Sequence, residues 1–286
     1  MATRKITKEE VIAIVEKHEM WLTGDERGER ADFTDVIFPS DMTMENRNLR
    51  AAIFTNAELY DVTFRGCNLR HADFTFACMS NVEFAGCMMM KVNFPKADLR
   101  NVSFVETKMQ YSDFHEAELE SVLFDCVHAN NSNFAEICIR NSDLLNCYLP
   151  DSDFRKAEIS LSGIIRSCFT GGYLDDVVIS GSKISFSSFV DRTDLNRIEI
   201  YDSFISSSTF WDSNLREAKF TECCIKYSEF TAAYLKNAEF SDCVVLAVDL
   251  TRSVLTNINA EGTTFVNTDF EDADLRGVGF LDSICR

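Results

Sequence analysis

Proline is nearly absent from this chain of 286 residues, which holds 3, and glycine is sparse at 11. No stretch therefore reads as a flexible or low-complexity linker. No apolar run approaches the ~18 residues that a membrane span needs. The first residues, Met1-Ala2-Thr3-Arg4-Lys5, lead into charge rather than into an apolar leader core. The sequence thus predicts no membrane association and a cytoplasmic location. Histidine is scarce, at 4, and the 11 cysteines are scattered from Cys67 to Cys285 without a C-x-x-C pair. The clustered spacing of a zinc site is missing, so no metal and no cofactor is expected, and the thiols read as reduced, small apolar groups. Positive charge is also short: 28 Lys and Arg stand against 46 Asp and Glu, a net charge of −18. Direct binding to nucleic acid needs concentrated cations and is disfavoured. A basic partner, or a protein surface that normally receives DNA, suits the charge.

What the chain does have is a repeat. Stepping by five from Leu49 gives Phe54, Leu59, Phe64, Leu69, Phe74, Met79, Phe84 and so on to Phe189; after one inserted residue the series resumes at Leu195 and runs to Phe280. Every member is a large apolar residue except Ala129 and Ala260, and 19 of the 24 phenylalanines fall in the series. Two residues before the centres stand mostly small ones, as in Ala52, Ala57, Val62, Cys67 and Ala72. A period of five matches neither a helix at 3.6 nor a strand at 2. It requires a chain that turns a corner every five residues and points one small and one large side chain inward from each side. Four such sides close a square coil of twenty residues.

The copies Ala72-Asp73-Phe74, Ala97-Asp98-Leu99, Ala117-Glu118-Leu119 and Ala273-Asp274-Leu275 resemble the pentapeptide-repeat family, whose motif is A-(D/N)-L-x-x. The resemblance runs from Ala31 to the C-terminus. It implies an all-β fold, a right-handed quadrilateral β-helix. The expected organisation is a capping helix and connector over 1–30 and one solenoid over 31–286, with one-residue frame slips within 39–48 and 190–194. About twelve coils stacked at ~4.8 Å give a rod of roughly 56 Å. Thr7-Lys8-Glu9-Glu10 reads as a capping box, Gly24 as the residue that ends the helix, and Val11, Ile14, Val15, His18 and Trp21 as its buried stripe. This helix is the expected lid over the first coil.

No catalytic set emerges. The abundant serines fall on repeat positions, with Ser187 and Ser208 in the small inward slot, and His71, His115 and His128 sit at outward positions of different pentads. A nucleophile without a base in reach has no mechanism. The chain is therefore expected to be a non-enzymatic, protein-binding or scaffold rod. Residues twenty apart share a side, and one side concentrates acid: Glu58, Asp61, Asp98, Glu118, Glu120, Glu158, Glu199, Asp202, Glu222, Glu239, Asp242, Glu261 and Asp282, opposed by Arg100, Arg140 and Lys219. This is the candidate binding face. Along the rod the net charge comes to one per ~4 Å, against one per ~1.7 Å for duplex DNA. Some members of the family mimic DNA and bind and regulate or protect type II topoisomerases such as DNA gyrase; the resemblance implies that class as the alternative partner. No helix follows the last coil, so Phe280, Leu281, Ile284 and Cys285 are the candidate end for a homodimer through the C-terminal coils.

Overall fold

The computed structural model describes residues 4–279 and 283–285. By its internal contacts the chain divides into two units, Met1–Cys138 and Ile139–Arg286. Each is a parallel β-solenoid with a twenty-residue coil, and each is taken separately below.

In the first unit, strands on one side pair in register one coil apart: Glu58–Tyr60 with Cys78–Ser80, that strand with Asp98–Arg100, and that with Glu118–Glu120. The next side of the coil repeats this with Val62–Arg65, Glu83–Ala85, Ser103–Val105 and Leu123–Asp125. The other two sides touch through single bridges, such as Asn48 with Asn68 and Ile53 with Asp73. Counting sides from Leu49, the two stranded sides are the third and the fourth. Each pentad turns its corner through one residue in the left-handed region, as at Asn56, Asp61, His71 and Phe76. That conformation is expensive for a residue with a Cβ, by about 1–2 kcal/mol, and is held by the backbone bonds to the neighbouring coil. Asn56 N–H, for example, donates to Thr75 O at 3.0 Å.

The pentad centres form the core. Phe74, Phe94 and Phe114 are fully buried and stack one coil apart, with ring centroids at 4.8 Å in both steps. Phe64, Phe84 and Phe104 form a second stack at 4.9 and 5.1 Å. The two stacks meet edge to face, Phe84 against Phe94 at 6.2 Å. Cys67 and Cys87 occupy the same inward slot and are free thiols; each donates to a backbone carbonyl at 3.3 Å, of Met44 and Phe64 respectively.

Helix α1, Lys8–Leu22, begins at the expected capping box: Thr7 N–H donates to Glu10 Oε2 at 2.7 Å and Glu10 N–H to Thr7 Oγ1 at 3.2 Å. Gly24, at φ 81°, follows the C-cap residue Thr23. Val11, Val15 and His18 are buried. Trp21, expected in the same stripe, is 40% exposed and stacks on His18 at 5.5 Å. The helix is tied to the coil by Arg47, which pairs with Glu19 at 2.8 Å, and by Ala31 N–H, which donates to His18 Nδ1 at 3.0 Å. The first frame slip lies between Phe38 and Met44: Ile37 pairs with Glu58, twenty-one residues on, whereas Met42 pairs with Val62, twenty on.

His18 makes this attachment sensitive to acid. Burial pushes its imidazole below the usual range; the Arg30 charge works the same way, while the Arg50 carbonyl and Glu19 oppose it. Its Nδ1 accepts a bond that a protonated ring cannot accept. The folded pKa lies below the unfolded one, so His18 contributes stability that is complete above the unfolded value of ~6.5 and is lost as pH falls through the folded value. The melting temperature should drop between pH 7 and pH 5, and His18→Gln should remove that part of the dependence. An unchanged pH profile in the variant would contradict it.

In the second unit the third side stacks Glu158–Ser160, Val178–Ser180, Glu199–Tyr201, Lys219–Thr221 and Glu239–Ser241. The fourth stacks Asp143–Leu145, Gly163–Ile165, Lys183–Ser185, Phe204–Ser206, Cys224–Lys226, Val244–Leu246, Thr264–Val266 and Ile284–Cys285. The second slip is a widened corner. Asp191 and Arg192 are both left-handed, at φ 55° and 63°, and Val178 still pairs with Glu199, so the order of sides is kept. Thr193 fills the corner, its hydroxyl donating to Val190 O at 2.6 Å.

The inward serines of this unit have a structural duty. At corners leading into the second and third sides, the slot amide donates to the carbonyl three residues back, as Ala218 N–H does to Leu215 O at 3.2 Å. At corners leading into the fourth and first sides it donates instead to the slot side chain one coil on: Ser162 N–H to Ser182 Oγ at 3.1 Å, Ser167 N–H to Ser187 Oγ and Ser187 N–H to Ser208 Oγ, both at 3.2 Å. Ser187 Oγ in turn donates to Ile164 O at 3.1 Å. Ser187→Ala strands the buried Ser167 amide and should cost about 1–3 kcal/mol in chemical denaturation; Ser188→Ala, half-buried and outside the ladder, should cost far less. Equal losses would contradict this assignment.

Candidate acidic face

In the first unit the third side presents Glu58, Asp61, Asp98, Glu118 and Glu120 outward, each half-buried or exposed. They belong to adjacent registered strands, with Glu118 beside Asp98 and Glu120 beside Arg100. Alternation in the short strand turns the centre, Leu99 or Leu119, inward and its two neighbours outward. Arg100 is drawn onto Asp98 at 2.9 Å, so it neutralises one acid of its own strand. Tyr60 Oη donates to Glu58 Oε2 at 3.0 Å, and Asn81 Nδ2 to Asp61 Oδ1 at 3.0 Å.

In the second unit the side given the same count carries Glu158, Glu199, Asp202, Glu222, Glu239, Asp242 and Glu261. Lys219 pairs with Glu199 at 2.8 Å. Asp202, Glu222 and Asp242 are corner residues in the left-handed conformation, stacked one coil apart between the third and fourth sides. No ion pair within the described residues engages these three. Asp282 lies outside the described residues, as do Phe280 and Leu281 of the candidate dimer end. Ile284 pairs with Thr264 on the fourth side and is 45% exposed; of Cys285 only the backbone, in that strand, is described.

Residues outside this face supply little chemistry. His115, Glu116 and Glu136 bring ligand atoms within 4.8 Å of one another. Glu116, however, already has Lys96 Nζ at 3.3 Å on one oxygen and His115 Nε2 at 3.0 Å on the other, and His115 Nδ1 lies 3.0 Å from Ala135 O. A hollow of about 350 Å³ beside α1 is lined by Arg4, Glu10, Ile14, Lys17, Glu29 and Arg30, with Lys17 spent on Glu29 at 3.1 Å. Neither assembles a nucleophile with a base.

Residues 77–154 match the family model described as pentapeptide repeat region, and residues 43–70, 207–244 and 247–280 match that described as pentapeptide repeats (8 copies). Together these segments span more than half of the chain, and the chain belongs to the pentapeptide-repeat family. No curated protein sequence matches it significantly. Among solved structures it is similar to HetL, a pentapeptide repeat protein involved in heterocyst differentiation regulation from the cyanobacterium Nostoc sp. strain PCC 7120, at 13% identity over 92% of this chain and 94% of that one, TM-score 0.36. It is also similar to full-length QnrB1, a plasmid-mediated fluoroquinolone resistance protein, at 20% identity over 65% of this chain and 83% of that one, TM-score 0.37. Likenesses at this level carry neither partner nor activity to this chain.

Proposed function

We propose that this pentapeptide-repeat protein is a non-enzymatic binding protein whose acidic third side enters a cationic groove on another protein. The observation behind this reading is the register: the outward carboxylates of each unit stand on strands one coil apart, with Arg100 drawn onto Asp98 and Lys219 onto Glu199. A negative side of this kind steers toward a cationic cleft and loses affinity as salt rises. The alternative, narrower reading is an acidic DNA mimic that binds and regulates or protects a type II topoisomerase, DNA gyrase being the partner to try first. Pairing of two copies through the C-terminal coils belongs to the same reading; Leu275, a centre of the last coils, is 41% exposed.

Fluorescence anisotropy of the labelled protein with purified gyrase, at low and at physiological salt and with duplex DNA as competitor, tests this. Salt-dependent binding that DNA displaces is expected. Binding that DNA leaves untouched would end the mimic reading, and no binding at low salt would remove gyrase as the partner.

A further inference from the structure

The family motif places Asp or Asn just before each centre, yet on the fourth side of the second unit that position holds Gly163, Lys183, Phe204, Cys224, Val244 and Thr264 in succession. From Gly163 to Asn267 this side has no acidic side chain beside its centres or at the corner that follows them, and it has three cations: Arg166, Lys183 and Lys226. In a chain of net charge −18, that departure is not a by-product of the repeat. The strands lie in register, and exposed apolar side chains lie among the cations, interrupted by Ser185 and Ser206, whose hydroxyls bond each other at 2.9 Å. Phe186 is 61% exposed, Tyr227 64% and Val244 44%. Exposed apolar groups of this kind mark interaction surfaces.

In two of the six coils the corners that bound this side are complementary. In the coil of Lys183–Ser185, the corner before the strand is Gly181 and the corner after it is Phe186. A hollow of about 570 Å³ opens along the first corner, lined by Leu161, Gly163, Gly181, Asp202 and Glu222 among others, with Leu161 Cδ2 lying against Gly181. In the coil of Cys224–Lys226, the corner before is Glu222, while Lys226 and Tyr227 stand after. Across one side, at one height, Phe186 stands opposite Gly181 with Leu161 over it, and base faces acid.

We propose that this side is a self-association surface, on which a second copy packs about a two-fold axis parallel to the direction in which the coils stack. That operation keeps each coil level with its counterpart and exchanges left for right. Phe186 of each copy then meets the partner copy's Leu161 where it lies over Gly181, and Lys226 of each copy meets the partner copy's Glu222. A two-fold axis along the strands would instead set acid on acid. The strip is about 24 Å long for six coils at ~4.8 Å. It is smaller than the ~800 Å² per partner of a stable interface, so the pairing is weak and depends on concentration. The surface shares the corner residue Glu222 with the acidic third side but does not use that side's strand carboxylates, and it concerns homodimerisation rather than the cationic partner.

Sedimentation equilibrium across a concentration series tests it. The mass should rise from 32.5 kDa toward twice that value. Phe186→Asp should weaken pairing about thirtyfold, and Glu222→Lys or Lys226→Glu about fivefold each. The double exchange Glu222→Lys with Lys226→Glu rebuilds the pair in the partner and should recover wild-type association. All three residues are exposed or half-buried, and circular dichroism checks that the variants fold. A mass fixed at 32.5 kDa at every concentration would overturn the proposal. So would a dimer that ignores all of these variants, which would place pairing elsewhere, or a double exchange no better than its single members.

Discussion

Phe94→Ala should destabilise the protein by about 3–5 kcal/mol, the cost of losing a fully buried ring and leaving a cavity. Phe94 has no exposed surface. It stacks between Phe74 and Phe114 at 4.8 Å each and receives the edges of Phe84 and Phe104 at 6.2 and 5.8 Å. Its neighbours are themselves ordered by coils above and below, so the site has little freedom to collapse, which puts the effect toward the upper part of that range. Aromatic pairing adds ~0.5–1.5 kcal/mol per pair beyond burial. Phe76, two residues after the neighbouring centre, is 50% exposed, and Phe76→Ala is the control: within about 0.5 kcal/mol of wild type. Urea denaturation followed by far-UV circular dichroism measures both. Losses of similar size would contradict the inward assignment of the centres.

Gly28→Ala should also be severe, for a steric reason. A Cβ on Gly28 would lie 2.1 Å from Trp21 N and 2.4 Å from Trp21 Cα. These are backbone atoms of the last turn of α1, which cannot rotate away. The connector between Gly24 and Ala31 is pinned by Gly28 N–H to Asp25 O at 2.9 Å and Glu29 N–H to Lys17 O at 3.1 Å. The added methyl must push the helix end off the first coil, at a cost of roughly 3 kcal/mol, the upper end for overpacking. Gly86→Ala makes the contrast: nothing lies within 4 Å of its Cβ position, so only the left-handed backbone at φ 60° is penalised, by about 1 kcal/mol. Amide exchange in α1 should accelerate in Gly28→Ala and not in Gly86→Ala. Unaltered protection of α1 in both would show that the cap does not depend on this approach.

The pentad centres were legible because burial in a coil of fixed period leaves a direct mark on residue type: Phe54, Phe74 and Phe94 differ from their flanks in size and polarity. The capping box was legible because its two hydrogen bonds lie within four consecutive residues. The role of Ser162, Ser182, Ser167 and Ser187 was not. Their inward slot followed from the period, but the need for a hydroxyl depends on which corners close by a bond three residues back, and corner geometry leaves no mark on residue type. Trp21 fell in the right helical stripe and yet is 40% exposed, stacked on His18 at the end of the helix rather than buried. The third side could be read as acidic by counting in twenties. The fourth side's lack of acid was countable in the same way, but the proposed pairing of Phe186 with Leu161 over Gly181, and of Lys226 with Glu222, depends on seeing both corners flank one side.

The most direct test of the acidic-face account is a DNA gyrase supercoiling assay with the protein titrated in, with and without a quinolone. It should be run beside a variant carrying Glu118→Lys, Glu120→Lys and Glu158→Lys, exposed or half-buried positions on the third side that leave the core and the fourth side alone. The account predicts that wild-type protein changes supercoiling or quinolone sensitivity in a dose-dependent way, that added salt weakens the effect, and that the charge-reversed variant loses most of it. Equal effects of wild type and variant would contradict the acidic face as the binding surface, and no effect of wild-type protein at any dose would contradict the topoisomerase reading.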